Sequence, residues 1–226
     1  MKVGFVPSQT SRAATRNPER SRERILQAAF EEFAAKGFAG ARVDSIARRA
    51  AINKRMLYHY FGDKQTLFRE VLRRKMAQRQ TWAAATPDNP AEGLPYWFDL
   101  ARKDVGWIRL LEWEALQFMD KRLIDEKSRR EAINKAAGRI SKLQRSGHLS
   151  KRFNPRHTLL AMLALTWFPV AFPQLTRLIA GRSASDAGFV KGQREFLADF
   201  AAAFQNGRTS KKGNSVRSNA SKRDSE

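Results

Sequence analysis

Seven side chains between residues 53 and 64 combine hydrogen-bonding groups, positive charge and aromatic rings. They are Asn53, Lys54, Arg55, Tyr58, His59, Tyr60 and Lys64. Lys and Arg attract phosphate groups, and Tyr and His each join a flat apolar ring to a polar tip that suits phosphates, sugars and thymine methyl groups. This set of residue types favours binding to nucleic acid over bond-making chemistry.

The net charge favours the same kind of partner. The 226 residues contain 43 Lys and Arg but only 22 Asp and Glu, which gives a formal charge of +21 at pH 7. Residues 1–80 hold 18 basic and 7 acidic side chains, and residues 206–226 hold 6 and 2. Because such an excess attracts polyanions, we expect both ends of the chain to attract phosphates.

Several classes of protein are not indicated. The chain has no Cys, which excludes disulfides, a thiol nucleophile and thiolate metal sites. Its three His residues are widely separated, and we find no Gly-rich phosphate loop and no Ser nucleophile motif. We therefore expect no enzyme, no cofactor and no metal site, and a cytoplasmic location of the bacterial type.

Apolar residues recur at helical spacing, without the sustained alternation typical of strands, so we predict an all-α fold. The first helix is predicted to begin near Pro18 and to end at Lys36–Gly37, where Gly supplies a left-handed cap. Asn53 is predicted to be an N-cap, since its side chain can accept hydrogen bonds from the first turn of a helix. Further helices of the N-terminal part are predicted over about 42–50, 54–61 and 64–79. Gly62–Asp63 is predicted to end the helix over 54–61 and to cap the one over 64–79.

Residues 42–61 predict a helix-turn-helix, in which two short helices are separated by about three residues. The inward-facing apolar residues of the two helices and the turn are Ile46, Ala47, Ala50, Ile52 and Leu57. The second helix is short and exposed enough to enter a DNA major groove. Lys64, in the first turn of the next helix, can reach the DNA backbone, and the N-terminal N–H groups of that helix also favour anions.

The sequence between Ile25 and Lys64 resembles the tetracycline-repressor-like (TetR) regulators. The similarity lies in AAFEEFAAKGF over 28–38, VDSIA over 43–47 and NKRMLYHYF over 53–61, followed by Lys64. It implies a dimer in which each subunit gives one helix-turn-helix to an inverted-repeat operator and one helical domain to ligand sensing and dimerisation. The residues that the resemblance assigns to DNA contact are Asn53, Lys54, Arg55, Tyr58, His59, Tyr60 and Lys64, to which we add Arg42 and Val43.

Three positions depart from the family pattern. Ala51 lies where Gly is usual in the turn, which costs on the order of 1 kcal/mol if the residue takes a positive φ. Ala41 replaces the usual Thr cap, a loss of roughly 0.5–2 kcal/mol unless another group substitutes. Arg55 stands where a small residue is usual; it reads a guanine edge or binds phosphate, and the sequence does not decide between the two.

The C-terminal part is predicted to hold five more helices, which makes about nine in all. They are expected over about 91–105, 107–119, 121–146, 155–181 and 187–205. Pro169 and Pro173 are expected to kink the helix over 155–181. That helix and the last one are predicted to pair with their symmetry mates in a four-helix dimer interface, the arrangement that the resemblance implies.

Large side chains on these helices are candidates for the wall of an effector pocket. They are Trp97, Trp107, Trp113, Phe118 and Met119. A stripe of this kind at helical spacing is more often plain core, so both interpretations stay open. The sequence does not identify the effector.

We divide the chain into a disordered basic arm at 1–18, a helix-turn-helix DNA-binding domain at 19–65, an effector-binding and dimerisation domain at 66–205 and a disordered basic tail at 206–226. The tail has too few large apolar residues to offset chain entropy. Residues 158–176 carry no charge over 19 positions, close to the roughly 20 needed to span a bilayer. Two prolines and several polar residues in that stretch favour a buried interface helix and no membrane partner.

Together these features predict a sequence-specific, DNA-binding transcription regulator that acts as a homodimer. We expect a repressor that a small-molecule effector releases from an inverted-repeat operator. The alternative is a nonspecific basic DNA-binding protein without ligand control, which would select no site and depend steeply on salt.

Overall fold

The computed structural model describes residues 18–118, 123 and 125–204. Within these residues the fold is all-α, as predicted, and it consists of ten helices. They are α1 (Pro18–Gly40), α2 (Val43–Arg49), α3 (Lys54–Phe61), α4 (Lys64–Ala84), α5 (Pro90–Lys103), α6 (Val105–Phe118), α7 (Glu126–Arg145), α8 (Pro155–Ala171), α9 (Pro173–Ala180) and α10 (Ala187–Ala203). The predicted basic arm, except for Pro18, and the predicted tail at 206–226 lie outside the described residues.

The chain forms two compact units that are divided in sequence between Leu72 and Arg73, within α4. The first unit consists of α1, α2, α3 and the beginning of α4. Its largest fully buried side chains are Phe33, Phe68, Ile25, Ile46, Leu57, Leu67, Leu72, Glu32 and Val71. The rings of Phe33 and Phe68 meet edge to face with their centres 4.9 Å apart, so α1 and α4 share one apolar core.

Local signals set the ends of the helices in the first unit as predicted. Gly37 has a φ of 68° and interrupts α1 at the predicted end. The side chain of Asn53 accepts a hydrogen bond from the Met56 backbone N–H at 2.7 Å and caps α3. Gly62, with a φ of 74°, ends that helix, and Asp63 accepts a hydrogen bond from the Thr66 N–H at 2.6 Å at the start of α4.

The turn of the helix-turn-helix carries the strain expected from its sequence. Ala51 has a φ of 52°, the left-handed region that favours Gly. The start of α2 has no side-chain cap, and its N-cap residue is Arg42, one position after Ala41, where the cap was predicted. Glu32 of α1 instead accepts a hydrogen bond from the Arg42 backbone N–H at 3.3 Å, which holds the chain just before α2.

In the second unit, α8 packs against α5, α6 and α7, and α10 packs against α5. One core cluster consists of Leu94 and Phe98 of α5 with Leu197 and Ala201 of α10. A second cluster consists of Ile140, Leu143 and Leu149. Met162 of α8 touches both clusters, so this helix links the core of the unit.

The region predicted as one kinked helix over 155–181 is two helices, α8 and α9, bent by 92°. Phe172 has the non-helical angles φ −120° and ψ 64° between them. Pro173 explains the break, because proline has no N–H to donate and disfavours the helical conformation in the residue before it. Pro169 is accommodated inside α8. This break accounts for the ten helices of the described chain, where nine were predicted.

Two further observations concern the length of α4 and the test for a membrane-spanning helix. α4 continues to Ala84 instead of ending near residue 79. Over the part of the chain that the structure describes, no single helix has the length and apolar character to cross a membrane. The bent pair α8–α9 meets that criterion only when its two helices are counted together, and then by length and composition alone.

Candidate nucleic-acid interface

One face of α3 is buried and the other is open. Leu57 is fully buried and Phe61 is 4% exposed, so both belong to the core of the first unit. Arg55, Tyr58 and His59 are exposed, and Tyr58 keeps 41% of its surface accessible. Three of the predicted contact residues therefore lie on the open face of a short helix that follows the turn of a helix-turn-helix.

Arg55 carries a positive charge on this surface that no other described residue binds. Its side chain is exposed, and the described residues offer it neither a hydrogen bond nor an ion pair. A guanidinium group in that position has all of its donors available for a phosphate or a guanine edge.

The first two residues of this segment have partners within the protein. Asn53 uses its side-chain oxygen to cap α3, as described above, which leaves its amide N–H groups to donate elsewhere. Lys54 forms an ion pair with Asp44 of α2, with Nζ 2.9 Å from Oδ1. The hydrogen bond to Asp44 raises the pKa of Lys54, so its ammonium group is firmly charged. The sequence reasoning missed Asp44, although an acidic residue in a basic segment was a visible signal.

Lys64 lies against α1. Its ammonium group donates to the Ala39 carbonyl at 3.3 Å and sits 4.9 Å from the centre of the Phe38 ring. Burial lowers the pKa of Lys64. To reach a DNA phosphate, as predicted, the side chain has to leave this position.

The remaining predicted contacts flank the open face. Arg42 is exposed directly before α2, and Val43 is half-buried at the first position of that helix. Tyr60 is half-buried, and its ring meets that of His59 with centres 5.8 Å apart. The first unit thus holds all nine predicted DNA-contact residues on α2, α3, the start of α4 and the segments that precede α2 and α3.

In the second unit, two of the predicted pocket residues meet around one Arg side chain. The Arg79 guanidinium carbon of α4 lies 5.5 Å from the ring centres of both Trp97 and Trp107. Trp82 and Trp167 complete the group, at 5.9 and 5.3 Å. We call these five residues the Arg79 cluster. Sequence reasoning missed Arg79, Trp82 and Trp167, although Arg79 and Trp82 are three residues apart on one helix face.

The other predicted pocket residues lie elsewhere. Trp113 is half-buried on α6, and no contact within the described chain joins it to Arg79. The side chain of Phe118 and all of Met119 lie outside the described residues. Of the five predicted pocket residues, the structure therefore brings together Trp97 and Trp107, and the pocket itself stays a prediction.

A separate cavity of about 470 Å³ lies between α5, α8, α10 and the segment that joins α7 to α8. Its walls are mainly apolar, and they include Met162, Leu165, Phe200 and Phe204. Trp97, Trp107 and Trp113 do not line it. Much of its wall comes from α8 and α10, the helices predicted to form the dimer interface.

Comparison with known proteins identifies both parts of the chain. Residues 25–71 match the model of bacterial regulatory proteins of the tetR family, and residues 96–202 match a tetracyclin repressor-like C-terminal domain. The HTH-type transcriptional repressor SCO4008 of Streptomyces coelicolor is 32% identical over 175 residues, which are 77% of this chain and 90% of that protein. The chain belongs to the TetR family. This TetR regulator is therefore a DNA-binding transcription regulator, as its sequence predicted.

Two further similarities cover different extents of this TetR regulator. The HTH-type transcriptional repressor NicS of Pseudomonas putida is 46% identical over 54 residues, 24% of this chain and 26% of that protein. The solved structure of SCO4942 from Streptomyces coelicolor has a TM-score of 0.69 and 25% identity, and the match covers 82% of this chain and 98% of that one. The similarity in structure thus extends over both units, while NicS matches only a short part of the chain.

Proposed function

We propose that this TetR regulator is a repressor that binds an inverted-repeat operator as a homodimer and leaves it when a small molecule binds the second unit. The observation that carries the proposal is the open face of α3, where Arg55, Tyr58 and His59 are exposed on the second helix of a helix-turn-helix. The similarity to SCO4008, which is described as a repressor, supports the sign of regulation.

In this proposal the residues of 19–65 bind DNA, and α3 enters the major groove. Arg55 and Tyr58 contact base edges or the adjacent backbone. Asn53 keeps its capping role and donates its amide N–H groups to a phosphate. Lys54 and Lys64 leave their partners in the free protein, Asp44 and Ala39, to bind phosphates, which adds to affinity but not to sequence preference.

The dimer in this proposal forms through α8, α9 and α10, within the predicted ranges 155–181 and 187–205. These helices and the bend between α8 and α9 expose large apolar side chains, which are Leu160, Phe168, Phe172, Leu175, Leu178, Ile179 and Phe196. Exposed apolar side chains in such number mark an interaction surface, because water contact with them is unfavourable. A symmetric copy of the same helices would cover them.

Ligand sensing in this proposal belongs to residues 66–205. An effector that binds better to the form with wrongly spaced recognition helices lowers the population able to bind DNA. The predicted residues Trp97, Trp107, Trp113, Phe118 and Met119 remain our candidates for the pocket wall.

Selection of operators from random duplex DNA with the full-length protein tests the proposal. We expect enrichment of an inverted repeat whose half-sites are about one helical turn, roughly 34–36 Å, or a multiple of it apart. A nonspecific basic protein would enrich no sequence, and its affinity for random and selected DNA would fall equally with salt. That outcome would contradict the proposal.

A further inference from the structure

The Arg79 cluster gathers four of the five tryptophans of the chain around a single positive charge. Its rings come from four different helices, α4, α5, α6 and α8. Arg79 and the rings of Trp82, Trp97 and Trp167 are half-buried, and Trp107 is 5% exposed. The cluster is thus largely enclosed, and four of its five side chains keep part of their surface in contact with solvent.

Arg79 has no acidic partner of its own among the described residues. Between the residues that the structure describes, no hydrogen bond or ion pair reaches its guanidinium group. Burial lowers the pKa of Arg79 to about 10, and the negative charge of Asp104 opposes this shift. Asp104 is itself paired with Lys75, with Nζ 2.8 Å from Oδ1. Asp104 is thus engaged by Lys75, and the guanidinium group of Arg79 keeps a positive charge without an ion pair among the described residues.

Two of the surrounding rings also carry donors without acceptors. The indole Nε1 atoms of Trp107 and Trp167 are buried, and neither has a hydrogen-bond partner among the described residues. Buried donors in proteins are almost always paired, because an unpaired one loses its hydrogen bond to water. The guanidinium group and both indoles supply donors only, so these side chains offer no acceptor to one another.

We propose that the Arg79 cluster binds a small organic anion with a flat apolar body, such as an aromatic carboxylate, as the effector of this regulator. The carboxylate accepts hydrogen bonds from the guanidinium group, to which its two oxygens are matched in geometry. The apolar body stacks on the indole faces. This inference rests on the proposed function and adds the chemical class of the ligand.

A cationic ligand fits the same rings less well. Indole faces attract cations, but the Arg79 guanidinium group already lies 5.5 Å from the ring centre of Trp107 and 5.3 Å from that of Trp167. A second cation has to displace Arg79 or bear its repulsion. The two modes of binding are therefore distinguished by the charge of the ligand. Arg79 favours an anion, whereas a cage of indole faces alone would favour a cation.

Three probes with one ring system and different charges test the inference: 2-naphthoate, 2-naphthamide and 2-naphthylmethylammonium. Isothermal titration calorimetry on the full-length protein is expected to show that the carboxylate binds at least about tenfold more tightly than the amide, and the amine most weakly. In Arg79→Met the carboxylate is expected to lose this advantage, while affinity for the amide stays within about threefold. Arg79→Lys keeps the charge and should retain part of the preference.

Matched variants separate the cluster from the rest of the unit. Trp97→Phe is expected to weaken carboxylate binding, and Phe153→Leu, at an exposed aromatic residue outside the cluster, to leave it unchanged. Equal or tighter binding of the amine, or no binding of the carboxylate at about 1 mM, would overturn the inference. If Arg79→Met does not fold, the inference is tested instead by the order of affinities of the three probes for the natural protein and by the preference for the carboxylate in Arg79→Lys.

Operator binding by the same protein sample distinguishes this failure from failure of the proposed function. A protein that binds its selected operator but shows no preference for the carboxylate overturns the ligand class alone. A protein that selects no operator contradicts the proposed function, whatever the probes show.

Discussion

Lys54 Nζ lies 2.9 Å from Asp44 Oδ1, so an ion pair joins the two helices of the helix-turn-helix at the surface proposed to meet DNA. Both side chains are exposed, at 49% and 64%. An exposed pair adds little to stability. Its main consequence is electrostatic, because it holds a negative charge beside a lysine that the proposal assigns to phosphate.

Replacing Asp44 with Asn is expected to increase DNA affinity. The change removes repulsion from phosphates and removes the ion pair that Lys54 has to leave when it binds DNA. Because Lys54 already contacts a phosphate in the proposed complex, the dependence of log affinity on log salt should change by less than the roughly 0.9 expected for one added phosphate contact. Fluorescence anisotropy of labelled operator at several salt concentrations measures both effects. Glu131→Gln makes the same change in charge at an exposed position on α7, and it should alter neither the DNA affinity nor its salt dependence. Unchanged affinity in Asp44→Asn would contradict the prediction.

Tyr58→Ala is expected to abolish operator binding while the dimer and its helical content remain. The side chain is 41% exposed and lies on the open face of α3, so its loss should change the free energy of unfolding by about 1 kcal/mol or less. Tyr58→Phe separates the hydroxyl group from the ring. Circular dichroism and an operator-binding assay check both variants, and an unfolded Tyr58→Ala protein would show that Tyr58 is core.

Ala51→Gly is expected to stabilise the protein by roughly 0.5–1 kcal/mol. The φ of 52° at Ala51 costs about 1–2 kcal/mol for a residue with a Cβ, and the greater freedom of Gly in the unfolded chain offsets part of the gain. Chemical denaturation measures the difference. Ala35→Gly, at an exposed position inside α1, should instead destabilise by about 1 kcal/mol. Destabilisation by both changes would show that no strain is stored in the turn.

Glu32→Gln is expected to destabilise the first unit by about 1–3 kcal/mol. The Glu32 carboxylate is fully buried and accepts hydrogen bonds from Lys36 at 2.7 Å and from the Arg42 N–H, and a neutral amide replaces it poorly. Glu31→Gln removes the exposed partner of Arg49 and should cost about 1 kcal/mol or less. Equal losses for the two variants would contradict the role given to Glu32.

The buried carboxylate of Glu32 also predicts that the free energy of unfolding depends on pH. Burial raises the pKa of Glu32, but the hydrogen bonds from Lys36 and Arg42 and the charges of Lys36 and Arg49 outweigh it, so the pKa lies below its ordinary value of 4.5. A lowered pKa in the folded state stabilises the protein above about pH 4.5, and this contribution is lost as the pH falls through the folded-state value. The difference in unfolding free energy between the natural protein and Glu32→Gln should therefore shrink below about pH 4.5. A constant difference down to about pH 3 would oppose this.

Leu160→Glu is expected to dissociate the proposed dimer and to weaken operator binding with it. Leu160 is 67% exposed on α8, and a charge there cannot be buried against a symmetric copy without a partner. Sedimentation measures the state of association. Leu116→Glu, at a similarly exposed position on α6 (69%), should leave the dimer intact. If Leu116→Glu dissociated the dimer and Leu160→Glu did not, the interface would lie on α6 and not on α8.

The features that the sequence predicted correctly depend on neighbouring residues. The cap at Asn53, the end of α3 at Gly62 and the inward position of Leu57 each follow from a few consecutive side chains. Pro169 and Pro173 were predicted to kink one helix, and the sequence alone could not decide between a kink and a full break. The difference is set by Phe172, whose angles are not helical.

The features that sequence reasoning missed depend on distant residues. Glu31 and Glu32 are adjacent and chemically identical, yet one is exposed and the other fully buried beside Arg42. The Arg79 cluster combines residues as far apart as Trp82 and Trp167. A local pattern of apolar residues cannot predict that these side chains lie together, because their proximity depends on how four helices pack.

The crowding of tryptophans around Arg79 also gives the protein an internal optical reporter. Four of its five indoles lie around one guanidinium carbon, at 5.3 to 5.9 Å, so most of the intrinsic fluorophores of the protein are gathered at a single site. Occupation of that site changes the surroundings of most of the emitting rings together. Molecules that bind there can therefore be found by screening unlabelled protein for a change in emission colour or intensity, even before the operator sequence has been determined.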